Sequence, residues 1–408
     1  MKDKKIYLGV GIVFLLIITI SFSYAYFSIK VSGNDNAKDV VVNAGTLSLV
    51  YTDGPEIKVE NIRPGKTITK EVTVKNTGTL DTNYNIVWQS LINEITNDEL
   101  VLSATCQRLN SAGTVDGTCN SIPQAPISDM TIAKKISIES GITHKYTFTI
   151  LFKDIKVDQN YNQGKTFSGV LGIEEYKAPN FATDSWSTII ANVKAGNGSE
   201  YVVGSTKEVD LGTTYGTHTL RVANTSTPSE CSTTGFSQTA CGFVLEFADI
   251  ITDHKMNDTN TNVGGWPATS IRTFVNNDIY NAIPSEIKNA IIDTTVVSGH
   301  GGTRGEENFT STDKLYLLAP KEIYTDFNKS YDTAKDLTRT LDYYKNLGTS
   351  TRNYSGAIKK NETSAAWWWL CAANSNNPND FFSVNGNGDW YSYNANSTYG
   401  VAPAFRIG

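Results

Sequence analysis

The C-terminal segment, residues 364–408, constrains the fold most, because it interleaves residues that need burial with residues that favour solvent. Large apolar side chains recur along it and are expected to form a core. They are Trp367, Trp368, Trp369, Leu370, Phe381, Phe382, Val384, Trp390, Val401 and Phe405. The residues between them are mainly Asn, Ser, Tyr and Asp, which antibody paratopes use for adaptable hydrogen bonds and rigid aromatic area. The segment predicts a packed frame, with its tryptophans in the core, that presents a polar and aromatic surface.

Length and charge narrow the class of protein. The chain has 408 residues, enough for two or three domains, and a formal net charge of −6, which argues against nucleic acid as a partner. Four of the five cysteines form two close pairs, Cys106 with Cys119 and Cys231 with Cys241, separated by loops rich in Gly, Ser and Thr. Local disulfides in an oxidising compartment are expected, the alternative being four buried reduced thiols. Cys371 is left over and is expected to be a core thiol.

The N-terminus has the layout of an export signal. Three lysines within the first five residues precede an uncharged run over residues 6–29, which is long enough to cross a bilayer. The tripeptide S-Y-A at positions 23–25 also fits a small-x-small cleavage site. Residues 1–29 are therefore predicted to be a signal peptide or a membrane anchor. Both alternatives place the rest of the chain outside the cytoplasm, and the uncleaved form makes the membrane a partner.

Residues 30–178 predict an all-β sandwich. Apolar and polar residues alternate there at period two, as at Tyr146, Phe148, Ile150 and Phe152, and roughly eight such runs are separated by turn residues. The sequence I-R-P-G-K-T at 62–67 predicts a turn, which leads into the strand and turn K-E-V-T-V-K-N-T-G at 70–78.

This region resembles secreted proteins of the TasA/camelysin type. The resemblance rests on the two glycines at positions 9 and 11, the A-Y-F-S at 25–28, and the P-G … V-x-V-x-N-T-G arrangement of the first strands. It covers about the first 175 residues. It implies a structural spacer or a fibre-forming, matrix-associated module.

After a linker predicted at 179–184, residues 185–408 have α+β character. Apolar residues recur at helical spacing over 271–279, 287–291 and 337–344, and short strands are predicted near 202–203, 243–247 and 315–318. The whole chain is thus predicted to be multidomain, with an N-terminal signal or transmembrane helix, the sandwich, and a mixed C-terminal domain.

The C-terminal domain resembles an uncharacterised domain of bacterial surface proteins. The motifs are G-F-S-Q-T-A-C-G-F-V-L-E-F-A-D at 235–249, N-V-G-G-W-P-A-T-S-I-R-T-F at 262–274, K-L-Y-L-L-A-P-K-E at 314–322, and the closing W-W-L … G-V-A-P-A-F-R-I. That domain is similar to the C-type-lectin fold of formylglycine-generating-enzyme relatives and of the variable proteins of diversity-generating retroelements. The family usually has Arg where this chain has Cys371 and Ala402.

The resemblance and the composition together predict a ligand-binding surface on the closing segment. Its candidate residues are Asn379, Asp380, Asn385, Asn387, Asp389, Tyr391, Tyr393, Asn394 and Asn396. The predicted protein is non-enzymatic, lies on the cell surface or is secreted in a bacterium of Gram-positive type, and binds an extracellular protein or glycan. The alternative is a structural matrix or fibre subunit of the TasA-like type.

No catalytic constellation is visible in the sequence. The four histidines are scattered, and no nucleophile motif accompanies them. The run D-T-N-T-N-V-G at 258–264 has alternating oxygen ligands, but Val263 and Thr269 occupy the positions where an EF-hand needs Gly and Glu. We therefore expect no catalytic residues and no cofactor, with calcium the one ion left open.

Overall fold

The computed structural model describes residues 28–33, 49–54, 57–60, 62–300 and 307–408. The chain divides into two compact units, one up to Lys177 and one from Ala178 onward. The signal or anchor predicted for 1–29 lies outside the described residues, except that Ser28 and Ile29 begin the first strand. Across the described ranges, the helices fall short of the length and apolarity needed to cross a membrane.

The first unit is built from two β-sheets. The order in one sheet is β3-β1-β11-β5-β9 and in the other β2-β4-β10-β6-β7, with β8 also pairing with β6. Within these sheets β1 and β11 run parallel, and the neighbouring strands pair antiparallel. The strands are Ser28–Gly33 (β1), Leu49–Asp53 (β2), Ile57–Glu60 (β3), Thr67–Asn76 (β4), Thr82–Asn93 (β5), Leu100–Leu109 (β6), Val115–Thr118 (β7), Ile122–Pro126 (β8), Thr131–Ile138 (β9), Thr143–Phe152 (β10) and Phe167–Glu175 (β11).

Period-two alternation explains this architecture, and the predicted sandwich is confirmed. Every second residue of β10 is buried, and the buried set forms one core with residues of β5 such as Tyr84 and Trp88 from the other sheet. The predicted turn before β4 is also present. The Lys66 amide donates to the Arg63 carbonyl at 3.1 Å, and Gly65 has a φ of 84°, which its lack of a Cβ permits.

Both predicted disulfides are present, Cys106–Cys119 in the first unit and Cys231–Cys241 in the second. A disulfide that closes a loop of this length stabilises the folded state by roughly 3 kcal/mol, because it restricts the unfolded chain. Cys371 is a buried free thiol.

The second unit combines short helices with sheets. Its helices are Trp186–Lys194 (α1), Gly212–Tyr215 (α2), Ser270–Phe274 (α3), Tyr280–Ala282 (α4), Ser285–Lys288 (α5), Pro320–Ile323 (α6) and Asp342–Asn346 (α7). Its strands are Thr206–Asp210 (β12), Thr217–Asn224 (β13), Val244–Phe247 (β14), Thr252–Lys255 (β15), Thr294–Ser298 (β16), Phe309–Asp313 (β17), Lys359–Asn361 (β18), Ser364–Ala366 (β19), Trp368–Ala373 (β20), Asp380–Val384 (β21), Trp390–Asn394 (β22), Thr398–Val401 (β23) and Ala404–Arg406 (β24).

These strands form two main sheets, ordered β12-β13-β14-β24 and β15-β23-β20-β21-β22, and two ribbons, β16-β17 and β18-β19. The second of the main sheets is called the terminal sheet below, because four of its five strands come from the closing segment. Trp368 and Trp369 of its central strand have 0% exposure, so the predicted core position of these two tryptophans is confirmed.

Some local predictions were wrong. The predicted strand at 202–203 is a turn, with Val202 69% exposed and Gly204 at a φ of 93°. The predicted strand at 315–318 is a buried segment that makes one isolated bridge, from Tyr316 to Ala404. The predicted linker at 179–184 belongs to the second unit, because Phe181 lies in its core.

A buried charge network ties the second unit together. The Glu246 carboxylate of β14 accepts hydrogen bonds from Arg221 at 2.8 Å, Lys359 at 2.9 Å and Tyr344 at 2.9 Å. Burial raises the pKa of Glu246, but the two cations outweigh it and lower the pKa to about 2. Burial lowers the pKa of Lys359 to about 8, although Glu246 opposes the shift.

We expect Glu246→Gln to destabilise the second unit by about 3–5 kcal/mol at pH 7, because it leaves two buried cations without a counter-charge. The matched change Glu230→Gln removes an exposed partner of Arg339 and should cost less than about 1 kcal/mol. Urea denaturation followed by tryptophan fluorescence measures both, since six of the seven tryptophans follow residue 178. Equal losses in the two variants would contradict a dominant role for the network.

A second buried polar group lies in the sandwich. His144 is 5% exposed, and its Nδ1 lies 2.9 Å from the Tyr84 hydroxyl, which lies 3.0 Å from the Tyr146 hydroxyl. Burial and then the charge of Arg108 lower the pKa of His144 to about 4, with Glu139 opposing them. His144 is therefore neutral at pH 7.

The depressed pKa gives a pH prediction. Below its ordinary pKa near 6.5, His144 takes up a proton in the unfolded chain but not in the folded one, so the sandwich should lose about 2–3 kcal/mol as the pH falls from 6.5 to 4. His144→Gln should remove this component, and His218→Gln in the second unit should not. Urea denaturation at pH 7 and pH 4.5 measures the change in the free energy of unfolding. Pulsed hydrogen exchange, analysed on a peptide that contains β10, reports the unfolding of the sandwich. A pH dependence that survives in His144→Gln would refute the assignment.

Candidate functional site

The terminal sheet carries a cluster of partly exposed aromatic rings, called the aromatic face below and formed by Trp367, Tyr391, Tyr393 and Tyr399. Alternation along β22 creates it. Trp390 packs on Phe382, at a ring-centroid distance of 6.2 Å, whereas the two tyrosines project from the other side of the strand. Tyr391 is 51% exposed and Tyr393 is 40% exposed.

Trp367 is the centre of the aromatic face. Its ring lies 5.2 Å from that of Tyr399 in a stacked arrangement, and 5.4 Å and 5.9 Å from those of Tyr391 and Tyr393 in edge-to-face arrangements. These are the separations at which aromatic pairs attract each other beyond their area burial. The other three rings therefore all contact that of Trp367.

Buried neighbours hold the aromatic face in place. The Trp367 carbonyl accepts a hydrogen bond from the Gly400 amide at 2.9 Å. Beside it the Trp369 ring packs 4.9 Å from that of Tyr399, and its indole N–H donates to the His254 carbonyl at 2.9 Å. Burial raises the pKa of Tyr399 to about 12, so its hydroxyl stays protonated at neutral pH. The face is therefore preorganised.

Asparagines lie at one end of the tyrosine-bearing hairpin β21-β22. Asn394 and Asn396 are exposed, Asn379 is half-buried, and the Asn379 carbonyl accepts from the Ala395 amide at 2.7 Å. By alternation along β22, the Asn394 side chain lies on the side of the strand away from Tyr393, so Asn394 is not part of the aromatic face. Asn396 lies in the turn between β22 and β23, the strands that carry Tyr393 and Tyr399, and its exposed amide borders the face.

Asp380 departs from the prediction. It is 9% exposed, and its carboxylate accepts a hydrogen bond from Ser392 at 3.3 Å on the side of the sheet away from the tyrosines. Burial raises its pKa. Asp380 is a structural residue of the hairpin and does not contribute to the exposed surface.

The loop that resembles a calcium site supports this end of the sheet. The side-chain amide nitrogen of Asn262 lies 2.9 Å, 2.7 Å and 2.8 Å from the carbonyl oxygens of Asn374, Asn377 and Asp380. The Asn262 side chain is thus used to hold the loop before β21. Calcium binding at 258–264 stays an untested prediction.

The remaining predicted residues lie at the other end of the hairpin, roughly 13 Å away along the strands. The Asn385 side-chain oxygen accepts from the amides of Asn387 at 2.8 Å and Asp389 at 3.1 Å, so Asn385 builds the turn. Asn387 is exposed and Asp389 is half-buried. The nine predicted residues therefore do not form one cluster.

The sequence analysis missed two members of the aromatic face. Trp367 was assigned to the core with its two neighbours, and Tyr399 was not a candidate. Strand alternation was a usable signal for Trp367, because Trp367 and Trp368 must point to opposite sides of the sheet.

Two parts of the chain match known families. Residues 243–408 match a family described as a domain of unknown function, DUF6273. Residues 3–90 match a family described as camelysin metallo-endopeptidase. Each match covers less than half of the chain, and no curated protein matches it.

Similarity to solved structures is weak. A family 123 glycoside hydrolase from Clostridium perfringens is 12% identical, with 32% of this chain and 26% of that chain covered at a TM-score of 0.14. Procruciferin, an 11S globulin from Brassica napus, is 8% identical, with 40% and 34% covered at a TM-score of 0.13. The chain thus spans about a quarter to a third of the length of these proteins. TM-scores this low do not indicate a common fold.

Proposed function

We propose that this protein is a non-enzymatic binding protein, displayed on the cell surface or secreted, whose aromatic face recognises an extracellular protein or glycan. The match of residues 3–90 to the camelysin family supports a secreted or surface location. The observation that carries the proposal is the contact of four aromatic rings on an exposed sheet face, two of them about half exposed.

The chemistry of the aromatic face suits recognition. Tyrosine and tryptophan supply large, rigid contact area and are enriched among the residues that dominate binding energy. Exposed Asn396, in the turn after β22, adds a hydrogen-bonding group that adapts to polar ligands. Contiguous exposed apolar area of this kind is typical of interaction sites.

We further propose a C-type-lectin-like fold for residues 185–408. The residues of the G-G-W motif, which carries the resemblance, make structural contacts in this unit, and these contacts support the proposal. A Cβ on Gly265 would lie 2.4 Å from the Gly299 carbonyl oxygen, so only glycine fits there. The indole of Trp266 donates to Asp313 at 2.9 Å, and Arg272 pairs with the same carboxylate at 2.6 Å.

A peptidase activity is the alternative that the name of the matched family raises. The chain's four histidines lie outside residues 3–90, so the matched segment cannot build a zinc site of the H-E-x-x-H type. We therefore favour binding. Chelator-sensitive hydrolysis of a denatured protein substrate by the purified chain would contradict this.

The binding proposal predicts a specific loss. Labelled full-length chain is applied to a glycan array and to intact bacterial and epithelial cells. The double variant Tyr391→Ala, Tyr393→Ala should bind the ligand that gives the strongest signal with an apparent Kd about 30-fold weaker. This is the effect of losing a binding hot spot of about 2 kcal/mol. Tyr391→Phe should retain the ring contact and most of the binding.

Val202→Ala is the matched control, because it truncates another exposed apolar residue of the second unit. Unfolding curves check that each variant is folded. Unchanged binding by the double variant would exclude the aromatic face as the ligand site. Loss of binding in Val202→Ala would show that the signal reflects general surface hydrophobicity.

A structural subunit of the TasA-like type is the second candidate. The camelysin match and the all-β first unit favour it. Electron microscopy of the full chain at increasing concentration distinguishes the two. Ordered fibres without any ligand signal on arrays or cells would favour the structural role.

A further inference from the structure

Two sulfur atoms and an imidazole meet in the first unit. Cys106 lies on β6, Cys119 follows β7, and His144 is the second residue of β10. One ligand atom from each lies within 4.8 Å of the other two, and this is the single group of three or more such residues that the described ranges bring so close. The sulfurs are joined as a disulfide here. We propose that reduction of this disulfide converts the cluster into a binding site for a divalent zinc-like cation.

The imidazole is ready to act as a ligand. His144 is buried and neutral, which is the form that binds metal ions. In the proposed site the Tyr84 hydroxyl donates to Tyr146 and accepts from the Nδ1–H of His144. This arrangement fixes the tautomer and leaves the Nε2 lone pair for the cation.

The disulfide is accessible from one side. Cys106 is 3% exposed, but Cys119 is only half-buried and follows β7, whose four residues are all exposed at the edge of its sheet. A dithiol can therefore attack the Cys119 sulfur. The exchange forms the cyclic disulfide of the reductant and two protein thiols, so two electrons and two protons move to the sulfurs.

The ligand set selects the ion. A cation that replaces both thiol protons meets two thiolates and a neutral imidazole, which suits Zn²⁺ with the fourth position open to water. The divalent charge makes the site neutral, whereas Cu⁺ would leave a buried net negative charge of about one unit. Once the covalent bond is broken, side-chain rotation can bring the sulfurs to zinc-ligand separation, because the two Cα atoms are 5.0 Å apart.

The second disulfide provides an internal control. Cys231 and Cys241 pack with Phe236 in a small apolar cluster, and they belong to no group of three metal-ligating side chains in the part of the chain that the structure describes. Reduction of the Cys231–Cys241 disulfide should yield two thiols and no metal-binding site.

The full chain is reduced with a phosphine, which is oxidised to its oxide, and the reductant is removed before Co²⁺ or Zn²⁺ is added. Reduced protein should bind about one equivalent of Co²⁺ with thiolate charge-transfer absorption, and oxidised protein should not. Competition with a chromophoric chelator should show Zn²⁺ affinity at least 10-fold weaker in His144→Gln and 10- to 100-fold weaker in Tyr84→Phe. Cys231→Ser with Cys241→Ser should bind like the unaltered chain.

Alkylation of the unaltered reduced chain, mapped by mass spectrometry, tests the site without any substitution. Zn²⁺ should slow the alkylation of Cys106 and Cys119 and leave the alkylation rates of the buried Cys231 and Cys241 unchanged. Equal protection of both pairs, or of neither, would overturn the proposal. So would charge-transfer absorption that is unchanged in folded His144→Gln.

Discussion

The Glu246 carboxylate is the constraint on which the second unit depends. It is fully buried, and its hydrogen-bond partners come from β13, from α7 and from β18, so one charge joins four elements. Moving an ion of this kind out of water costs several kcal/mol unless its partners are in place. None of the four elements can therefore shift alone. The Lys359 ammonium also lies 5.0 Å from the centre of the Trp368 ring, which connects the charge network to the central strand of the terminal sheet.

That connection fixes what the sheet exposes. With Trp368 held in the core, alternation directs Trp367 to the other side, where three tyrosines from β22 and β23 pack around its ring. Rings that already contact one another lose little conformational freedom when a ligand covers them. The rigidity of the aromatic face thus originates in the buried residues that support it.

The sequence predicted those features that a single strand or a short loop determines. Alternation in several runs, of which β10 is the clearest, predicted the sandwich, because each strand has one buried side. The disulfides followed from cysteines 10 and 13 residues apart. Contacts between distant segments were not predictable in this way. Asp380 is buried at the start of β21, where its carbonyl accepts a hydrogen bond from Asn262, 118 residues away in the chain.

The wrong prediction that Trp367 lies in the core has the same cause, a contact between distant segments. Trp367 and Trp369 share one side of the sheet by alternation, but Trp369 is fully buried and Trp367 is not. The difference arises because the Trp369 indole reaches the His254 carbonyl of β15, whose imidazole stacks on Phe274 at 4.3 Å. Which part of an aromatic run stays exposed therefore depends on which other segments cover the sheet.

Tyr84 and Tyr146 on the one hand, and Tyr391 and Tyr393 on the other, are used in opposite ways, and the contrast bears on function. Tyr84 and Tyr146 are fully buried, and their hydroxyls are bonded to each other. Tyr391 and Tyr393 remain about half exposed. If half of a tyrosine's 150–250 Å² stays in water, each loses about 2 kcal/mol of the free energy that burial would supply. Asparagine at these positions would leave no such area uncovered. Stability alone does not account for two tyrosines there, whereas a ligand that covers the rings would recover the lost burial.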